Sequence, residues 1–315
     1  PRSRFGRELF QPLLGLSKWM SFKMPNLLRR LRNAQVNSTF ARKLLRLYFR
    51  EGDAYRIALG PLRGCRLYYD STVNFHAILG LWELESFNFL SRIFKTRNLI
   101  AENAVIVDVG ANIGFTSIWF SKMVADKNGS VYSFEPAPPV LEILRRNLAL
   151  NDILNVQVVE AVCSDRVGVA DFFIGFHHHT SSLFQAWAGG QSGNSRQIEV
   201  AATSLDDFFL GRESRTPPDF IKMDIEGGGV YALKGCSKCI EAKRPMIWIE
   251  SHTPEEDGAI SDVLLRHQYR AFRLQTHSLV KNIRSTHPDV DGVWGTMLLF
   301  PTEDTEHIAS LVAAH

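Results

Sequence analysis

The run VIVDVGANIGFTS, residues 105–117, constrains the fold more than any other stretch of the chain. An apolar strand stops at Asp108, Gly110 and Gly114 follow, and an amphipathic helical pattern begins. A strand feeding a glycine turn and a helix suits a nucleotide-like ligand. Glycine lets the ligand approach the backbone, and the helix start offers unpaired N–H donors. The spacing Gly110-x-x-x-Gly114 departs from G-x-G-x-x-G, and the chain contains no G-x-x-x-x-G-K-[ST], so neither a dinucleotide fingerprint nor a P-loop is read. A second apolar strand, GSVYSFEP, ends at Glu135, placed to accept the two hydroxyls of a ribose. A glycine turn with a ribose-binding acid one βαβ unit later suggests S-adenosylmethionine, a nucleoside without phosphate.

Beyond this unit, strands and helices alternate. Strands are expected at 104–109, 130–135, 156–162, 219–224, 245–250, 269–274 and 294–300. Helices are expected at 113–125, 138–151, 228–241 and 255–267. That alternation demands an α/β fold with a doubly wound, mostly parallel seven-stranded sheet. Ligands of such sheets sit beyond the carboxyl ends of the strands, so Asp108, Glu135, Asp224 and Glu250 are expected on one rim, none of them buried in the sheet. A hairpin over 54–70, a helix over 76–98 and a strand pair near 168–175 and 198–203 complete the reading. The polar stretch 177–196 reads as a mobile loop or lid. Three regions result: a basic helical extension (1–53), a hairpin and helix leading into the core (54–100), and a ligand-binding domain (101–315).

The pieces DVGANIGFTS (108–117), VYSFEPAP (131–138), NLALN (147–151), SLDDF (204–208), FIKMDIEG (220–227) and IWIES (247–251) together resemble the FkbM-type family of S-adenosylmethionine-dependent methyltransferases. GLWE at 80–83 resembles a short motif that often precedes the glycine turn in that family. The resemblance implies a Rossmann-like class I methyltransferase acting on a hydroxyl of a sugar, glycan or small metabolite. One departure stands out: the family commonly reads D-x-E-G-A-E, whereas this chain reads Asp224-Ile-Glu226-Gly-Gly-Gly229.

Asp108, Gly110, Asn112, Gly114, Glu135 and Asp165 form the candidate cofactor set. Asn112 is read either as a helix cap or as a ligand contact, and Asp165 either as an acceptor for the adenine amino group or as a turn residue. Asp224, Glu226 and His252 are the candidate catalytic residues, since methyl transfer to oxygen needs a base within reach of the hydroxyl proton. Metal-free base catalysis is favoured, and Asp224, Glu250 and His252 make up the alternative, an oxygen-rich divalent metal site. Glu226 can also be read as a carboxylate at a helix N-terminus. Trp82 and Glu83 could wall the acceptor site, and Trp82 reads equally as core packing. The tract His177–His179 and the later His277 and His287 are further candidates for a base.

The charge is uneven. Residues 1–50 carry twelve Lys or Arg against one acid, leaving −8 for the rest of a chain whose total is +3. Leucines at helical spacing among these cations read as basic amphipathic helices. They fit an anionic membrane surface, an acidic partner or solvent, and the alternative function is an RNA methyltransferase or nucleic-acid-binding module that uses this segment as a clamp. Four cysteines do not make a disulfide framework, so a cytoplasmic protein is expected, peripheral to a membrane if the basic segment docks there. The lone Cys236-Ser-Lys-Cys239 has no second ligand pair at zinc spacing and reads as two ordinary helix cysteines. No apolar run reaches membrane-span length.

Overall fold

The computed structural model describes residues 49–50, 52–69, 75–96, 101–175, 181–188, 195–274, 278–279 and 295–313. Residues 1–48 and 51 of the basic extension (1–53), the histidine tract 177–179, His277 and His287 lie outside the described residues.

The described residues begin with a hairpin of β1 (Ala54–Arg56) and β2 (Arg66–Tyr68), then the helices α1 (Phe75–Leu79) and α2 (Leu84–Thr96). The helix expected over 76–98 is thus broken. Gly80 has φ +75, and a Cβ there would stand 1.9 Å from the carbonyl oxygen of Leu59, so the chain turns tightly where the helix would have continued.

The core follows as β3 (Val105–Val109), α3 (Phe115–Val124), β4 (Ser130–Phe134), α4 (Pro138–Leu150) and β5 (Val156–Val159). The chain then leaves the main sheet. The strands β6 (Val162–Cys163) and β7 (Gly168–Ile174), the short helix α5 (Gln185–Ala188) and β8 (Arg196–Thr203) build a side sheet in the order β6-β8-β7. Helix α6 (Leu205–Leu210) leads back to β9 (Phe220–Met223), α7 (Gly229–Lys234), α8 (Ser237–Lys243), β10 (Met246–Ser251) and α9 (Pro254–Arg266). The last elements are β11 (Tyr269–Arg273), β12 (Ser278–Leu279), β13 (Gly295–Pro301) and α10 (Thr305–Ala313).

The main sheet has the order β12-β11-β13-β10-β9-β3-β4-β5. Seven of its strands are those expected from sequence, and the eighth is the two-residue edge strand β12. Pairing is parallel from β5 to β10, while β13 runs antiparallel to both β10 and β11. The continuous apolar runs explain the burial of both sheet faces. Alternate residues of β3 enter different cores. Val105, Val107 and Val109 join Leu205, Phe209, Leu233, Ile240 and Ile260, whereas Ile106 joins Phe87, Trp119, Phe120, Leu141 and Leu144. Helices α2, α3 and α4 therefore cover one face and α6 to α9 the other, the doubly wound arrangement read from the alternation.

Two expectations are corrected. The helix expected over 228–241 is split into α7 and α8, because a Cβ at Gly235 would stand 2.0 Å from the carbonyl oxygen of Ser164. The Asp206 carboxylate accepts the N–H groups of Lys238 and Cys239 and so satisfies the start of α8. The third core strand ends at Val159 rather than Val162, because β6 pairs with β8 instead. Among the described residues, no helix is long and apolar enough to cross a membrane.

Candidate functional site

Strand order reverses at β3, which has β4 on one side and β9 on the other. A crevice opens at such a switch point, beyond the carboxyl ends of the strands. Here it is lined by Gly110 and Asn112 after β3, Glu135 after β4, and Asp224 and Glu226 after β9, with Trp82 among its walls. The structure thus brings the first-turn residues, the ribose candidate and two catalytic candidates into one cleft.

The turn after β3 is held by close packing. Gly110 has φ +76, and a Cβ there would stand 2.1 Å from the carbonyl oxygen of Asp224. Gly114 has φ +86 and is the N-cap of α3; a Cβ there would stand 2.5 Å from Leu144 Cδ1. Both glycines let neighbouring elements close on the turn, a purpose that the cofactor reading alone did not supply. Asn112 lies in the left-handed region, at φ 51, and makes no helix cap, so its capping role is withdrawn. Its side-chain Oδ1 is buried without a hydrogen-bond partner among the described residues. Its backbone N–H donates to Glu135 Oε2 at 2.9 Å, while Ala137 N–H donates to Glu135 Oε1 at 2.9 Å. Burial pushes the Glu135 carboxyl up to about 7, against the pull of those two amides and of Lys222.

Two of the four acids expected outside the sheet are buried. Asp108 is 0% exposed and Glu135 7%. Asp108 contacts the protein rather than the cleft. Its Oδ2 accepts from Ser117 Oγ at 2.6 Å and Oδ1 lies 3.3 Å from Lys222 Nζ, so its assignment as a direct cofactor contact is withdrawn. It faces inward because residue 108 shares the face of Ile106, under α3. Asp165 is also withdrawn from the cofactor set. It is exposed after β6 and does not line the cleft, because the chain has already left the main sheet.

Lys222 was not singled out from sequence, although a lysine inside the apolar strand FIKM is the signal that could have found it. It is buried, donates to the carbonyl of Gly110 at 2.9 Å, and lies 3.8 Å from Asp224 Oδ2. Burial acts to strip its charge, but the carboxylates of Asp108, Asp224 and Glu250 outweigh it and raise its pKa.

Beside the cleft, His252 follows the end of β10. Its Nε2 lies 3.7 Å from Asp224 Oδ1, 3.8 Å from Glu226 Oε2 and 3.8 Å from Glu250 Oε1. Burial disfavours the charged ring, yet Glu256 and these three carboxylates together push His252 up to about 9. Burial and the Asp224 charge push Glu250 up to about 8, with His252 opposing. Burial likewise lifts Glu226 to about 7, again with His252 opposing and Asp224 adding. Glu226 also holds a left-handed backbone, φ 43, rather than a helical start, and Ser182 Oγ donates to its carbonyl at 2.8 Å. That bond ties part of the expected lid, residues 181–188, to the cleft rim. Ser181 and Leu183 of this segment line the cleft.

The departure at Gly229 has a structural counterpart. Glu256, fully buried in the first turn of α9, places Oε1 2.8 Å from the Gly229 N–H and Oε2 2.7 Å from the His252 N–H. A Cβ at residue 229 would stand 2.7 Å from that same Oε1. The carboxylate beside residue 229 therefore comes from another element. In sequence, Glu256 reads only as an acid in a helix first turn behind the Thr253 cap. All four cysteines are free and buried, and burial pushes the thiols of Cys163, Cys236 and Cys239 upward, as fits core residues rather than a redox pair.

The chain aligns with a protein of Sordaria araneosa named methyltransferase sdnD, 37% identical over 172 residues, covering 47% of this chain and 65% of that relative. The chain thus spans less than two thirds of that curated relative. Among solved structures, it is similar to a methyltransferase FkbM from Methylobacillus flagellatus KT, at 20% identity and a TM-score of 0.41, covering 64% of this chain and 44% of that one. It is also similar to a SAM-dependent O-methyltransferase from Thermotoga maritima, at 12% identity and a TM-score of 0.38, covering 69% and 64%. The methyltransferase FkbM domain family matches residues 108–274, just over half of the chain, and the chain belongs to that family.

Proposed function

We propose that this chain transfers a methyl group from S-adenosylmethionine to a hydroxyl of a sugar, glycan or small metabolite. The observation that carries the reading is the single cleft in which Glu135, Asn112 and Gly110 meet Asp224 and Glu226. A carboxylate offers about four acceptor positions. Two backbone amides use one position on each oxygen of Glu135, leaving both oxygens able to receive the two hydroxyls of a ribose. The unpartnered Asn112 Oδ1 supplies a further acceptor for the nucleoside.

In the reaction, the acceptor oxygen forms a bond to the methyl carbon as the carbon–sulfur bond breaks. The electron pair of that bond stays on sulfur, giving S-adenosylhomocysteine, and the hydroxyl proton passes to a carboxylate of the group Asp224, Glu226 and Glu250. Holding donor and acceptor in line supplies much of the rate, and the positioned base adds to it. The hydroxyl as acceptor rests on the family resemblance and on this concentration of carboxylates beside the cleft.

The test has two arms. Calorimetry with S-adenosylmethionine should show binding that Glu135→Ala weakens strongly. Mass spectrometry of glycan and metabolite pools, after incubation with cofactor labelled in its methyl group, should find the label on a hydroxyl. Asp224→Ala should reduce transfer far more than cofactor binding. A chain that fails to bind the cofactor refutes the reading, and label found on nitrogen or on nucleic acid overturns the choice of acceptor.

A further inference from the structure

We infer that Asp224, Glu226 and His252 form a site for one divalent first-row metal ion, of the manganese type, at the edge of the cleft. One ligand atom from each lies within 4.8 Å of the others. Two donors bound about 2.1 Å from one ion sit about 3.0 Å apart when adjacent in an octahedron and about 4.2 Å apart when opposite. The distances of 3.7 and 3.8 Å from His252 Nε2 to the carboxylates of Asp224 and Glu226 fall inside that span. They are too long for hydrogen bonds, so the ring and the carboxylates face one another without satisfying one another.

The histidine is the independent observation. Its side chain is only 10% exposed, and its Nε2 points at three carboxylates without a hydrogen bond to any described residue. Its other nitrogen, Nδ1, faces Glu256 Oε2 at 3.7 Å. A histidine that ligates a metal commonly turns its second nitrogen toward a carboxylate, which fixes the tautomer and the ring plane. Glu256 is fully buried and clamped by the N–H groups of His252 and Gly229, and at 3.7 Å it faces Nδ1 without accepting a hydrogen bond from it, so the ring has room to turn onto an ion. A proton on Nδ1 would leave the Nε2 lone pair directed at Asp224 and Glu226.

Charge balance points the same way. Asp108, Asp224, Glu226, Glu250 and Glu256 gather around Lys222 and His252, and Lys222 is already engaged by Asp108. An imidazole with carboxylates suits a first-row divalent ion better than calcium, which takes oxygen donors alone. If the chain methylates a hydroxyl as proposed above, the ion would bind the acceptor oxygen and acidify it, and Glu250 would remain to take the proton.

The test needs no cofactor and no turnover. The full chain, stripped with a chelator, is titrated with Mn2+ while the electron paramagnetic resonance signal of the free ion is followed. The expected result is loss of signal to roughly one ion per chain. His252→Ala should abolish that loss. Glu256→Gln should weaken it by roughly 10- to 100-fold. Circular dichroism would verify that each variant is folded; Glu250→Gln, which leaves all three ligands in place, should retain binding. Binding that survives His252→Ala, or an undiminished free-ion signal with the wild type, overturns the site. S-adenosylmethionine binding by the same preparation would then leave the proposed function standing.

Discussion

Lys222 and Asp108 face each other across the parallel strands β9 and β3, in register, with Nζ 3.3 Å from Oδ1 and both side chains buried. Lys222 also donates to the carbonyl of Gly110, so one ammonium joins the strand, the glycine turn and Asp224 at the switch point. Removing one member of a buried pair leaves the other charge uncompensated, which typically costs about 3–5 kcal/mol. Lys222→Met and Asp108→Asn are each expected to lose stability on that scale in urea unfolding. The double variant should lose less than the sum of the two, and strict additivity would show that the pair is not coupled.

Glu135 gives the cofactor site a pH dependence of defined sign. Its carboxyl is raised by burial from the usual range to about 7. The folded state therefore favours the protonated form, and this contribution is present below the unfolded pKa and lost as pH rises through about 7. A ribose hydroxyl donates best to the ionised form. Cofactor affinity should consequently fall as pH drops through about 7, with proton release on binding below that point. Calorimetry at matched pH in buffers of different ionisation enthalpy would register the release. Glu135→Gln should abolish the dependence, and an unchanged profile in that variant would assign it elsewhere.

Glycine replacement separates a filled position from an open one. The Cβ of Gly229→Ala would meet Glu256 Oε1 at 2.7 Å, and that oxygen is fixed by the N–H of residue 229 itself. A loss of about 1–3 kcal/mol is expected from overpacking. Gly258 lies exposed within α9 with nothing within 4 Å of its Cβ position, so Gly258→Ala should stabilise by about 0.5–1 kcal/mol. Denaturant midpoints of the two variants should move in opposite directions.

The thiols offer a simple test of the cysteine assignment. Cys65, Cys163, Cys236 and Cys239 are all buried, and burial raises the pKa of each. Ellman's reagent should react slowly with the folded chain and fully once it is unfolded in guanidinium. Fast reaction of the native protein at Cys236 and Cys239 would overturn their assignment as core residues.

Local pattern was enough to find the core strands and most helices. Runs such as VIVDV, FIKM and MIWIE are apolar because both sheet faces are covered, and that requirement is written into consecutive residues. Glu135, Asp224, Glu226 and His252 were legible as candidates because each follows or ends such a run. The breaks at Gly80 and Gly235 were not legible, since each glycine is required by a carbonyl from a distant segment, Leu59 and Ser164 respectively. Asp165 misled for a related reason: whether a strand stays in its sheet depends on its pairing partner, here β8, some forty residues later.

The sequence by itself determined the α/β alternation, the glycine turn that opens the cleft and the family to which the chain belongs. These follow from periodicity and from residue types at short spacing, which physical chemistry restricts locally. Only the tertiary structure decided that Asp108 turns inward to Lys222, that Glu256 supplies the carboxylate beside Gly229, and that His252 confronts three acids. Those relations join residues on separate strands and helices, and burial and distance between them exist only once the elements have packed.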